Sequence, residues 1–340
     1  MLKLVFLLLA LIGLSLFSGL SDFHAQTRKR PSTAAVPVKK NGHLVPGTEM
    51  FTFYRCVADN GYIYWLGYNQ LVRVNREDGK YPQALVDTNT VIGGFAVDGN
   101  NFYYMSENKA ERRGGDFSSK VKGELKKVDL ANGNISTVLS GFDWPGLAFI
   151  GTDSTHIYFL EGSDNIQEGI LLLRLAKGGG EPQRLTSGLK APNELVVDEK
   201  NIYWSDFADN SMRKIAKTGG KQIVLFDGNE YQAAPATMTS DEQNLYLLDR
   251  KGKIYQIEKE SGKWKLLYTY RGAVFNGAAP ISTDQESIFW PLGNRVMRLS
   301  KKGGVPTVVS LTGSGSRCVA ADDKYIYWDE PHTGLMKIPK

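Results

Sequence analysis

Two cysteines, four histidines and one Gly-Ser-Gly-Ser run are the side chains of this sequence best suited to chemistry of their own. The histidines (His24, His43, His156 and His332) are too scattered for a metal motif, which draws on closely spaced His or Cys pairs. Ser314 and Ser316 sit in Gly313-Ser314-Gly315-Ser316, a flexible loop and not the strained strand-to-helix turn of a nucleophile elbow. Cys56 and Cys318 are different. They open near-copies of one phrase, Cys56-Val57-Ala58-Asp59 and Cys318-Val319-Ala320-Ala321-Asp322, close to opposite ends of the chain. What they can do depends on the scaffold that repeats the phrase.

That scaffold is most legible in residues 191–226, APNELVVDEKNIYWSDFADNSMRKIAKTGGKQIVLF. Four short runs of β-branched and aromatic residues are separated by an Asp-led turn, a polar loop and Thr218-Gly219-Gly220. Such runs fit a pleated surface, and Gly, Asp and Asn suit the turns, so the unit reads as a four-stranded antiparallel sheet. Its signature is an Asp, three residues, then an apolar residue and an aromatic or apolar pair. It recurs at Asp59, Asp98, Asp153, Asp198, Asp241, Asp284 and Asp322, at intervals of 38 to 55 residues. Each third strand adds a second mark, two apolar residues spaced by three with a long polar residue before the second. The polar residue is Arg73, Lys127, Arg174, Lys214, Gln256, Arg298 or Lys337. A long aliphatic stem there can cover a neighbouring aromatic ring while its head stays wet.

A small sheet with two apolar faces must stack on its neighbours, and a closed ring leaves no unstacked end. The expected fold is therefore all-β, a seven-bladed propeller of four-stranded antiparallel blades. The chain ends soon after Ile338, before a fourth strand for unit seven. A segment within residues 34–54 is predicted to supply it, closing the ring with an N-terminal strand in the last blade. Closure makes the innermost strands of units one and seven neighbours. Cys56 and Cys318 are then either a disulfide that locks the ring or two buried thiols.

Domains follow from composition. Residues 1–25 read as an export signal, with Lys3, an apolar stretch over 4–17 and a polar exit. The apolar run is short for a membrane span of about 20 residues. The expected product is secreted or periplasmic, without a stable span once the signal is cleaved; a retained anchor is the alternative. Residues 26–41 read as a polar basic linker and 42–340 as the propeller. Six of the 41 basic residues and one of the 36 acidic ones fall in residues 1–40, leaving 35 of each in the rest. A domain so balanced lacks the surplus positive charge of a nucleic-acid face. A monomer is expected.

The tetrapeptide Tyr203-Trp204-Ser205-Asp206, with partial matches at Tyr327-Trp328-Asp329-Glu330 and Tyr64-Trp65-Leu66-Gly67, resembles the signature of YWTD-type, low-density-lipoprotein-receptor-like propellers. The likeness spans residues 50–340 and implies a fold more than an activity. Ala191-Pro192-Asn193-Glu194-Leu195 is similar to a segment of gluconolactonase and strictosidine-synthase-like propellers. That second likeness implies a Ca²⁺ at the channel mouth, held by Asn193 and Glu194 with Asp143 and Asn276, although the family's other ligand motifs are not apparent here.

Strand order puts the short turns on one face of the ring and the longer loops on the other, where recognition is expected. The loop-face candidates are Asp143 and Trp144, Asn193 and Glu194, Tyr231 and Gln232, Phe275 and Asn276, and Arg317. The extra length of unit two, residues 107–123 with Arg112 and Arg113, reads as a solvated loop. The leading expectation is an exported module, without cofactor, that binds or scaffolds a protein, peptide or carbohydrate through this face. A metal-dependent, lactonase-like hydrolase is the alternative, and an envelope-assembly scaffold a third reading.

Overall fold

Successive side chains of a strand point to opposite faces, and that alternation builds the molecule. In the second strand of the fourth repeat, Ile202 and Trp204 pack against the preceding sheet and Tyr203 against the following one. The structure is a computed structural model. It describes residues 42–45, 53–59, 61–67, 70–75, 83–87, 92–107, 122–143, 150–162, 169–231, 233–270, 280–312, 315–331 and 333–340. The predicted signal and linker lie outside these residues. So do Trp144, Gln232, Phe275, Asn276, Ser314, His24, His332 and most of the 107–123 insertion.

Seven four-stranded antiparallel sheets are formed. In chain order the blades span 53–87, 92–143, 150–189, 192–227, 235–269, 282–311 and 319–339. The third strand of the last blade pairs with His43–Leu44, through His43 with Lys337 and Leu44 with Met336. The predicted closure by an N-terminal strand is therefore present. Val45 extends it, donating its amide to the Leu335 carbonyl at 2.7 Å and burying its side chain. No helix long and apolar enough to cross a membrane occurs among the described residues.

The core is not one mass but seven clusters, one at each junction between adjacent blades. The apolar pairs of the third strands, from Leu71 and Val74 to Leu335 and Ile338, are at most 4% exposed. Both sheet faces are thus interior, which is why the third strands depart from strict apolar–polar alternation.

Among the described residues, five of the seven junctions are also fastened by polar groups at the turn face. The repeat aspartate accepts from two backbone amides through Oδ1, as Asp198 does from Lys200 and Asn201. Where a tyrosine lies five residues on, the Oδ2 takes its hydroxyl. Examples are Tyr158 to Asp153 at 2.8 Å, Tyr203 to Asp198 at 2.8 Å and Tyr246 to Asp241 at 2.7 Å. A lysine from the next blade then reaches the same carboxylate. The pairs are Lys177–Asp98 (2.5 Å), Lys217–Asp153 (2.6 Å), Lys259–Asp198 (3.4 Å), Lys301–Asp241 (2.7 Å) and Lys340–Asp284. Four of these lysines also lie over an aromatic ring, Lys301 over Tyr246 at 5.1 Å among them.

The third-strand cations cover rings as expected at Arg73 over Tyr62, Arg298 over Phe289 and Lys337 over Tyr325. Three of them also cross to the next blade. Arg73 donates to the Leu130 carbonyl, Arg174 to Lys217 and Lys214 to Lys259.

Two predictions follow from these contacts. Val45→Asp puts a charge into the closing cluster and should lower the unfolding free energy by about 3 kcal/mol. Leu44→Asp, on the more exposed neighbour, should change it by less than about 0.5 kcal/mol; urea denaturation of both decides. The second concerns acid. Burial alone would raise the carboxyl pKa of Asp241, but Lys301, Tyr246 and the Asn244 amide outweigh it and hold the value at about 2. The unfolded value is near 3.9. The stabilisation from this group is therefore complete above about pH 4 and fades as pH falls towards 2. Asp241→Asn should cost on the order of 1 kcal/mol at pH 6, and the gap from wild type should close by pH 2. Denaturation curves across that range would refute the pairing if the gap were flat.

Candidate functional site

The inner strands line the ring's axis, and several bend where they approach the loop face. Register shifts interrupt them between Phe53 and Arg55, Ile92 and Gly94, Asn193 and Leu195, and Pro235 and Thr237. A bulge of this kind re-aims a side chain. At Glu194 the backbone takes φ +53°, a left-handed conformation costly for a residue with a Cβ. The strain is offset by what the carboxylate gains. Its two oxygens accept from the Thr237 hydroxyl at 3.0 Å and the Met238 amide at 2.5 Å, both in blade 5. Burial of the carboxyl dominates and pushes its pKa up, although the residue as a whole keeps some accessible surface. Arg55, the Met238 amide and the Thr237 hydroxyl pull the other way. Arg55 holds the equivalent repeat position in blade 1.

Asn193 is buried beside it and donates its side-chain amide to the Ala236 carbonyl at 2.6 Å. Its own carbonyl accepts from the Ser205 hydroxyl at 3.0 Å. Both residues expected as cation ligands thus direct polar groups at the blade 4–blade 5 junction. Among the described residues no three His, Cys, Asp or Glu side chains converge as a metal site would require.

The other described candidates lie apart from this pair. Asp143 ends the outer strand of blade 2, where its carboxylate pairs with Lys122 at 2.5 Å. Its amide donates to Glu161 of blade 3 at 3.2 Å, and its carbonyl accepts from Gly162. Burial, with the Asp143 charge also contributing, pushes the Glu161 carboxyl upward. Arg317 is exposed at the entrance to blade 7, its amide held by Asp329 at 2.6 Å. Tyr231 sits at the outer rim of the blade 4–blade 5 junction, 4.5 Å from the Trp264 ring and 5.3 Å from Phe226. Asn193, Glu194 and Tyr231 therefore share one junction at different radii. Asp143 and Arg317 belong to others.

Two loop-face residues were missing from the sequence expectation. Phe207 follows Asp206, and Arg250 follows Asp249, the same repeat position on adjacent blades. The guanidinium of exposed Arg250 lies 4.2 Å from the centre of the Phe207 ring. Both turns are pinned by backbone bonds, from the Phe207 amide to the Ala191 carbonyl and from Arg250 to Ala234, each 2.9 Å. The signature carboxylate of Asp206 ties the same corner, accepting from the amides of Lys190, Ala191 and Ala208. Aligning the repeats and joining consecutive blades would have placed these two residues side by side.

No family model and no curated protein matches the sequence. Among solved structures, the computationally designed Ika8 protein is similar at TM-score 0.57 and 10% identity, over 86% of this chain and 98% of that one. A chain of the nidogen/laminin complex is similar at TM-score 0.48 and 16% identity, over 82% of this chain and 89% of that one. At such identities the likeness concerns the fold alone. Because 1302 solved chains resemble this one, a shared propeller architecture selects no activity, and function has to be argued from the loop face.

Proposed function

We propose that this chain is an exported binding module that recognises a protein or peptide on its loop face, above blades 4 and 5. The observation that carries this reading is the Arg250–Phe207 stack. Stacking leaves the edge of a guanidinium open, and that edge presents forked donors matched to a carboxylate. Arg is also among the residue types enriched at the energetic hot spots of protein interfaces. The turns beneath it are fixed, so little ordering is lost on binding. An extended segment with an acidic side chain or a terminal carboxylate fits this chemistry.

The finer assignments rest on sequence. Tyr203-Trp204-Ser205-Asp206 supports a YWTD-type propeller, and the apolar stretch after Lys3 supports export to a periplasmic or extracellular space. A monomeric module is consistent with a ring whose apolar faces are mutually covered.

Selection of binders from a random peptide display library, beside a glycan array, tests the reading. Acidic peptides should be enriched, and Arg250→Ala or Phe207→Ala should weaken them at least tenfold. Peptides indifferent to both substitutions, or binding of glycans alone, would overturn it.

A further inference from the structure

The first and last blades meet at the one junction made by the two ends of the domain. Cys56 lies on the inner strand of blade 1 and Cys318 at the start of that of blade 7. They are 8% and 0% exposed and share a cluster with Val45, Trp65, Ala320 and Leu335. Both are free thiols, buried in the same junction.

Their repeat positions explain how they meet. Cys56 pairs with Trp65, and the residue paired with the equivalent Trp328 is Val319. Cys318 therefore stands one place earlier than the matching phrases suggest. Equivalent residues would face the same way round the ring, as Cys56 faces blade 7 and Val319 faces blade 6. The one-residue offset turns Cys318 to blade 1, so that the two sulfurs face one another.

A third group completes the arrangement. Asp329 is fully buried against Cys318. Its Oδ1 accepts from the Ser316 hydroxyl and the amides of Arg317 and Cys318. Its Oδ2 is buried without a hydrogen-bond partner. The Oδ2 of Asp249 is buried in the same way, but of the two Asp329 is the one that lies against a thiol.

We propose that Cys56 and Cys318 are a dithiol that oxidises to a disulfide across the closing junction, with Asp329 as the base for Cys318. While the junction is open, the Cys56 thiolate attacks the disulfide of an oxidant such as oxidised glutathione, forming a mixed disulfide and releasing one thiol. As the blades meet, Asp329 takes the Cys318 proton, and the Cys318 thiolate attacks the Cys56 sulfur and expels the second thiol. The chain loses two protons and two electrons, and the oxidant's disulfide becomes two thiols. Once closed, burial shields the bond from reductants. It joins both ends of the domain, the loop length at which a cross-link constrains the unfolded chain most.

The test uses the full chain, refolded in glutathione buffers of increasing oxidised fraction, then denatured, alkylated and weighed intact. Oxidised chain should lose two hydrogens, resist alkylation and unfold in denaturant at least tenfold more slowly than reduced chain. The Cys56→Ala/Cys318→Ala double variant keeps small apolar side chains and should unfold at a rate independent of redox buffer. Asp329→Asn retains the Oδ1 acceptor but no base. Its disulfide should form about tenfold more slowly near pH 7, the gap narrowing as pH rises and thiols ionise unaided. Among the described residues, Cys56, Asp329 and the phenols of Tyr325 and Tyr327, the latter donating to Asp322, are the titratable groups at this junction with Cys318. Two alkylated thiols after oxidative refolding, an arrested glutathione adduct, or equal unfolding rates for the two forms would each overturn the disulfide. A rate for Asp329→Asn equal to wild type at every pH would remove Asp329 from it.

Discussion

The central strands of a blade have no solvent-facing side, and much else follows from that constraint. Each of them must present one set of side chains to the blade before it and another to the blade after it. Trp204 and Tyr203, adjacent in sequence, fulfil those two duties. The Trp is wholly apolar contact. The Tyr reaches the edge of its cluster, where its hydroxyl meets a carboxylate, and the neighbouring blade brings a lysine to the same point. Apolar area supplies the attraction, without direction. The Lys–Asp–Tyr groups supply direction, because they can be made only when blades sit in one register. At the junction of blades 1 and 2 Leu130 stands at the repeat position the lysines hold elsewhere and is buried in the cluster, while Arg73 of blade 1 binds its carbonyl.

Much of this was legible because periodicity reports local structure. The aspartates, aromatics and Gly turns that delimit strands are short-range features, and their repetition implies stacking. Ring closure was legible from a missing strand at one end and a spare segment at the other. The lysines were not. Lys177, Lys217, Lys259, Lys301 and Lys340 stand two residues beyond the third-strand pattern, and each has its partner some 56 to 79 residues earlier. Nothing in a single repeat shows that an aspartate of one blade needs a lysine from the next.

The loop face was harder for a related reason. Polar residues on loops invite a reading as ligand groups, yet Asn193, Glu194 and Asp143 each bind the adjacent blade. Their chemistry is real but directed inward, towards holding curvature at bulged strands. Phe207 and Arg250 were overlooked because neither is informative alone. Their meaning comes from adjacency round the ring, which turns two unrelated loop residues into one platform.

Closure also explains why the junction between the first and last blades is built differently. Six junctions join blades that follow one another in sequence, so each forms at modest loop-closure cost. The seventh must bring together segments separated by almost the whole domain, and it repays that entropy only when complete. Among the described residues its outer strand pairs through His43 and Leu44, with Val45 buried behind them. It is here that the sequence sets both of its cysteines, offset by one residue so that they face each other, against a carboxylate with an unused oxygen. A covalent bond elsewhere in the ring would join blades the chain already connects, whereas at this junction it joins two segments that chain connectivity leaves far apart.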